Sequence, residues 1–395
     1  MLPRLPKLSM TPSLHYAWLA IRSSTREASQ LARAIYPICQ PSTLATVKHL
    51  ALVKTLQRYR LWLVCLLLCS CGIWLPLAQA QAFDPERGEF RIVILNDINS
   101  SYGATHYIPG VLRSVAYIRE LWQPDLVLGA GDLIAGQSAL LPASRFAEMW
   151  AAFDQAIAAP LRHAGIPYAF AMGNHDASSL RHAAGTFIFQ REREAARQYW
   201  QQAQHHNVDF IDAQDFPFHY SFVQHGVFIA VWDASSANIH ESQRAWLRQQ
   251  LSSPAAQQAR FRVLVGHLPL YGLAEGRNQA GEVLHQGELL RQELEQHGLQ
   301  LYISGHHHAY YPARRGELLL LNTGGVGARR LLGSNRNPQT TVTIMDIVGL
   351  DNPLWPVRFQ LTTFDIHSWQ TIPLEALPST IDGFGGRITR MDLEP

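Results

Sequence analysis

Five apolar stretches of this chain end in the same way. Glu89–Leu95 runs into Asn96-Asp97, Asp125–Ala130 into Gly131-Asp132, and Ile166–Met172 into Gly173-Asn174-His175-Asp176. Phe261–Val265 runs into Gly266-His267, and Leu299–Ile303 into Ser304-Gly305-His306-His307-His308. Short apolar runs bounded by glycine read as buried strands. In open α/β sheets, ligands bind just outside the carboxyl ends of the strands. A Gly-Asp or Gly-His pair at a strand end is ordinarily just a turn, and a His triplet is ordinarily solvated. Five such endings in one chain are a stronger constraint, because the fold must gather five strand ends along one edge.

The intervening segments fit that demand. Helical spacing covers 110–122, 143–163, 186–206, 241–251 and 283–297. Residues 219–223 and 227–232 read as a hairpin, and 316–321, 341–348 and 356–364 as further strands. Strands alternate with helices in the interior and pair as hairpins in the middle and at the end. This predicts an α/β (α+β) protein with two packed sheets flanked by helices.

Charge divides the chain sharply. The first 80 residues hold nine Lys and Arg against one acidic residue, and the other 315 hold 24 against 30, with no Lys at all. An acidic body behind a basic leader argues against a nucleic-acid-binding surface. All four cysteines (Cys39, Cys65, Cys69, Cys71) lie in the leader, so the body has no thiolate ligand, thiol nucleophile or disulfide. Lys54–Arg60, the apolar run Leu61–Leu77 and Ala78-Gln79-Ala80 form a positive region, a hydrophobic region and an A-x-A site. That is the pattern of a secretory signal peptide. Pro76 and the small residues after it favour cleavage after Ala80 over an uncleaved membrane anchor. The expected organisation is a non-native or disordered extension at 1–52, with the natural start at Val53, a signal peptide at 53–80 and one domain over 81–395. The expected location is the periplasm or the exterior.

The side chains at the five strand ends are oxygen and imidazole donors, a set that suits Zn, Mn, Fe or Ni. His306 and His308 alternate along an extended segment and so project to one side. Asp132 has two oxygens and can bridge two cations. Two metals roughly 3.5–4 Å apart lower the pKa of a shared water and clamp a phosphoryl group for in-line attack. In Gly173-Asn174-His175-Asp176, Asn offers a neutral carbonyl oxygen, His exchanges a proton near neutral pH, and Asp is placed to hold that His in one tautomer.

The order D-x-N, G-D, G-N-H-D, G-H-x-P, G-H-x-H resembles the calcineurin-like metallophosphoesterase family, which also contains the purple acid phosphatases. The resemblance spans about residues 89–330. It implies a four-layer αββα sandwich of two mixed β-sheets with a dinuclear metal centre at the strand C-terminal ends. One metal would take Asp97, Asp132 and His308, and the other Asp132, Asn174, His267 and His306. His175 would act on the substrate as general acid or transition-state stabiliser, steered by Asp176. The implied activity is hydrolysis of small phosphomonoesters or phosphodiesters by metal-activated hydroxide, with a non-catalytic metal- or ligand-binding protein on the same scaffold as the alternative.

One position departs from the family pattern. Asn99 stands where most members carry His, so the first site is expected to bind its metal less tightly or to prefer a different one. The purple acid phosphatases instead use a Tyr after their G-D motif, which Gly131-Asp132-Leu-Ile-Ala-Gly136 lacks. Tyr102 and His106, in the loop after Asn99, are the alternative ligands. Arg329 and Arg330, following Gly324-Gly325, are candidates to grip a phosphate bidentately. His182, His205 and His206 read as helix-surface residues, His307 as pointing away from the metals, and the Arg/Glu-rich 186–206 as a solvated helix face. Asp233 has no evident partner.

Overall fold

The computed structural model describes residues 83–202 and 207–393, which belong to one compact unit beginning at Ala80. The leader and its cleavage site lie outside the described residues. Fourteen strands among the described residues are numbered here in chain order. They are β1 Phe90–Ile94, β2 Leu126–Gly129, β3 Tyr168–Phe170, β4 Phe210–Asp215, β5 His219–Gln224, β6 Val227–Val231 and β7 Phe261–Val265. The rest are β8 Leu301–Ser304, β9 Tyr311–Arg315, β10 Leu318–Asn322, β11 Thr341–Val348, β12 Arg358–Asp365, β13 Thr380–Gly383 and β14 Gly386–Arg390.

They form two mixed sheets. The smaller has the order β12-β11-β1-β2-β3, and the larger β13-β14-β9-β10-β8-β7-β6-β5-β4. The strands that carry the five motifs lie in parallel runs: β1, β2 and β3 in the small sheet, and β7 and β8, flanked by the parallel β6 and β10, in the large. Their carboxyl ends therefore share one edge.

Side-chain alternation shows how the layers stack. In β1, Phe90, Ile92 and Ile94 join the core between the sheets, while Val93 faces an outer core with helix residues Val111, Phe146 and Trp200. β2 repeats the division, with Leu126 and Leu128 inward and Val127 outward. β7 buries Val263, Leu264 and Val265 in one cluster that also takes Leu247, Leu251, Leu290 and Leu294 from two helices. A strand covered on both faces reads as a continuous apolar run. The order of layers is helices, small sheet, large sheet, helices.

The small sheet also holds a buried ion pair. Arg91 lies directly opposite Asp346 in the β1/β11 register and binds it through Nε at 2.8 Å and Nη2 at 3.1 Å. In the large sheet, Glu288, at the start of the helix Gly287–Gln296, accepts from Arg291 at 2.8 Å and from Arg315 of β9 at 2.6 Å, nearer the surface.

Several expected elements take a different form. The helix expected at 143–163 is divided into Ala143–Phe153, a wider turn Asp154–Ala158, and Ala159–His163. The one expected at 186–206 is described as Gln190–Trp200. It is not simply a solvated face, because Glu192 and Arg193 are buried. His182 sits in a turn and not on a helix, with its N–H on the Thr186 carbonyl at 2.8 Å. His205 and His206 lie outside the described residues.

Candidate metal centre

Two of the motif glycines lie where a ligand carboxylate crowds the chain. A Cβ on Gly173 would collide with the Asp132 carboxylate, and one on Gly305 with that of Asp97. Four of the candidate ligands have left-handed backbone, Asp97 at φ 49°, Asp132 at 55°, His306 at 65° and His308 at 50°. For residues with a side chain this conformation is uncommon and costs energy. Backbone strain of this kind gathers at functional sites.

The two sheets are bound together here. The Asp97 carboxylate accepts from the His306 amide of the large sheet at 3.0 Å and faces His308 Nε2 at 3.2 Å. His267 returns the connection, with Nδ1 donating to the Ala130 carbonyl of the small sheet at 2.8 Å. That bond turns Nε2 toward Asn174 Oδ1 at 2.8 Å and Asp132 Oδ1 at 3.4 Å. His306 Nδ1 lies 2.9 Å from the same Asn174 oxygen and 3.2 Å from His267 Nε2. Asn174 is itself oriented, since its Nδ2 donates to Gln137 Oε1 at 2.6 Å and so turns its oxygen to the cluster.

Asp97, Asp132 and His267 each offer one donor atom within 4.8 Å of the others, and all three are buried. Burial opposes ionisation of Asp132, but His267 and His175 beside it hold the carboxylate well below its usual range. Burial likewise opposes a charge on His267, yet Asp132 and Asp97 push it up to about 9. His306 is shifted down, first by burial and then by the charges of His267 and Arg277, which keeps its ring neutral. Two buried carboxylates side by side require positive charge. Oriented imidazole nitrogens and an amide oxygen, each steered by an outer partner, are what a transition metal needs. The residues fit a metal centre.

The remaining candidates fall in different places. His175 is half-buried, with its N–H on Asp132 Oδ1 at 2.9 Å and Nε2 3.9 Å from Asp132 Oδ2. Its Nδ1 meets the Gly136 carbonyl at 3.1 Å, so Gly136 holds the ring and Asp176 does not. Asp176 instead accepts from the backbone N–H groups of Leu133 at 2.7 Å, Ile134 at 2.9 Å and Gly173 at 2.8 Å. The reason is local: Asp176 is the third residue after the helix-capping Gly173, and its carboxylate folds back in a capping box. Burial and the Asp132 charge push it up to about 7 against the pull of those amides.

Asn99 is half-buried at the rim, and its hydrogen bond among the described residues is through its N–H, to Asp132 O at 3.3 Å. Tyr102 is exposed and lays its ring 5.1 Å from that of His175, while the exposed His106 is held by its carbonyl on Ser100 Oγ at 3.0 Å. His307 is buried with Nε2 on the Glu282 carbonyl at 2.9 Å, and burial pushes it down to about 3.

Above the cluster lies a cleft of about 520 Å³ whose lining includes Tyr102, Asn174, His175, Arg277, His306 and Arg329. Arg330 is not part of that lining and faces a separate small pocket with Arg336. Asp233 pairs with Arg193 at 2.8 Å, and Arg193 also donates to the Ala177 carbonyl at 2.7 Å, which braces the turn carrying Asn174 and His175. The residues not anticipated from sequence are Gly136, Gln137, Arg193, Arg277 and Glu282.

A two-sheet α/β sandwich with oxygen and imidazole donors at five strand ends defines a class of metal-binding phosphoesterase folds. The family model for calcineurin-like phosphoesterases matches residues 90–310, and the chain belongs to that family. Among solved structures it is similar to purple acid phosphatase PPD1 from yellow lupin (Lupinus luteus) seeds. The two share 17% identity with a TM-score of 0.53, over 73% of this chain and 54% of that one. It is also similar to GAP50, the anchor in the inner membrane complex of Plasmodium, with 14% identity, a TM-score of 0.48, and coverage of 73% and 88%. The chain thus spans about half the length of the lupin protein. No curated protein sequence matches it.

Proposed function

We propose that the protein is a periplasmic or secreted metal-dependent phosphoesterase that hydrolyses small phosphate mono- or diesters at a dinuclear centre. The observation that carries this reading is the meeting of Asp97, Asp132, Asn174, His267, His306 and His308 beneath a cleft that also presents His175 and Arg329. Asp97, Asp132 and His308 would hold one metal, and Asp132, Asn174, His267 and His306 the other. When bound, the metals supply Lewis acidity toward the phosphoryl oxygens and lower the pKa of the attacking water.

The chain's own groups do the rest. The Gly136 carbonyl holds His175 Nδ1–H, which leaves Nε2 to carry the proton delivered to the departing alkoxide. That nitrogen lies 3.9 Å from Asp132 Oδ2, beside the reacting centre. Arg329 lines the cleft and makes no ion pair among the described residues, so its guanidinium fork is available to phosphate oxygens. Tyr102 stands beside the His175 ring in the lining of the cleft.

The test is to purify the protein, measure its metal content, and screen mono- and diesters with Mn, Zn, Fe and Ni. Bound metal with turnover of at least one ester class is expected. Less than one tightly held metal and no turnover in any combination would overturn the reading in favour of a non-catalytic protein. For the extracytoplasmic address, N-terminal sequencing of the exported protein should begin at Gln81. No helix among the described residues is long and apolar enough to cross a membrane.

A further inference from the structure

His306 is approached by two groups with opposite demands. Its Nε2 lies 2.9 Å from Glu282 Oε2 and 2.9 Å from Arg277 Nη1, and the two partners pair with each other at 2.9 Å. A neutral imidazole carries one proton. If the proton is on Nε2, it is donated to Glu282, and the Nδ1 lone pair faces Asn174 and His267, where a metal would sit. If it is on Nδ1, it is donated to Asn174 Oδ1, Nε2 accepts from Arg277, and Nδ1 cannot ligate. The Arg277 guanidinium is also only 3.3 Å from Nδ1, where its charge opposes a cation. Both residues come from the loop Tyr271–Gln286, which is fastened to the site again by the Glu282 carbonyl on His307.

We propose that Glu282 is the positioning residue that holds His306 in its metal-ligating tautomer, and that Arg277 opposes it by favouring the other. The pair then sets metal affinity through hydrogen-bond direction as well as net charge. Arg277 also faces the cleft, so a bound phosphate would draw it off the ring and leave Glu282 alone on Nε2. This inference rests on the metal-centre reading above.

The experiment is equilibrium dialysis of the full-length protein against Zn²⁺ or Mn²⁺ alone, without phosphate, on wild type, Glu282→Ala, Glu282→Gln and Arg277→Ala. Thermal melting of each variant confirms that it is folded. Removing an outer partner of a ligating His typically costs about 10–100-fold in metal affinity. Glu282→Ala should show a loss in that range. Glu282→Gln, which keeps an acceptor oxygen, should stay within a few-fold of wild type, and Arg277→Ala should bind as tightly as wild type or more tightly. Wild-type affinity in Glu282→Ala would overturn the proposal. So would equal losses in Glu282→Ala and Arg277→Ala, since the pair would then merely brace the loop. So would a Gln variant as weak as the Ala variant. A wild-type protein that binds neither ion would overturn the metal-centre reading itself, whereas the other outcomes leave that reading standing.

Discussion

The two sheets contribute different chemistry to the centre. The small sheet delivers oxygens, Asp97 from the end of β1, Asp132 from β2 and Asn174 from β3. The large sheet delivers imidazoles, His267 from β7 and His306 and His308 from β8. The means of holding them differ as well. Asp97 and Asp132 accept backbone N–H groups, whereas His267 and His307 use backbone carbonyls. Neither half is a metal site alone, because Asp97 is held by an amide of the large sheet and His267 by a carbonyl of the small one. The site is thus a property of the contact between the sheets.

That comparison can be broken most severely at the small sheet's bridging oxygen. Asp132→Asn should lower ester hydrolysis to background and release metal, as read by metal analysis; retained metal and turnover would show that the oxygen side is dispensable. His175→Ala comes next, with a loss of turnover of about 100-fold and metal content unchanged. The loss should be smaller for esters with an acidic phenol as leaving group than for alkyl esters.

The stability of the two halves should also differ. Asp346→Ala removes both of its bonds to the buried Arg91, which keeps Asp84 at 2.9 Å and the Pro85 carbonyl. It should cost about 1–3 kcal/mol in urea unfolding, so a cost no larger than that of Glu288→Ala would mean that the remaining partners suffice. In the large sheet, Glu288→Ala should cost under about 1 kcal/mol, since solvent screens that network. Burial opposes ionisation of Glu288, but hydrogen bonds from Arg291, Arg315 and Tyr271 bring it down to about 2. A carboxylate with a lowered folded-state pKa stabilises above its ordinary value of 4.5 and loses that contribution as pH falls toward about 2. The wild-type and Glu288→Ala melting curves should therefore converge across that acid range and separate above it.

Much of the site was legible because each ligand is coupled to its strand by one to three residues. Apolar run, glycine and polar tip are contiguous, so reading β1, β2, β3, β7 and β8 also reads their ends. Strands that lack an apolar run were missed. β4 is an edge strand of sequence Phe-Ile-Asp-Ala-Gln-Asp, β9 contains Pro312, and β13 and β14 are short and polar. β4 and β13 are the edges of the large sheet and need bury only part of their surface, so their pattern is weak. β9 and β14 lie inside it and are hidden by Pro312 and by polar composition. Asp176 shows the opposite failure: adjacency paired it with His175, while its spacing from Gly173 specified a capping box. Gln137, Arg277 and Glu282 reach the cluster from loops distant in sequence, and no local pattern records such a meeting.

The left-handed backbone at Asp97, Asp132, His306 and His308 has a consequence for how this chain can change over generations. Glycine would relax each of these positions, by roughly 1–2 kcal/mol, and would abolish the ligand in the same step. Drift toward a sturdier fold and retention of the metal therefore pull in opposite directions at four places at once. A descendant released from its chemistry would be expected to lose these side chains first and to become more heat-resistant as it did so.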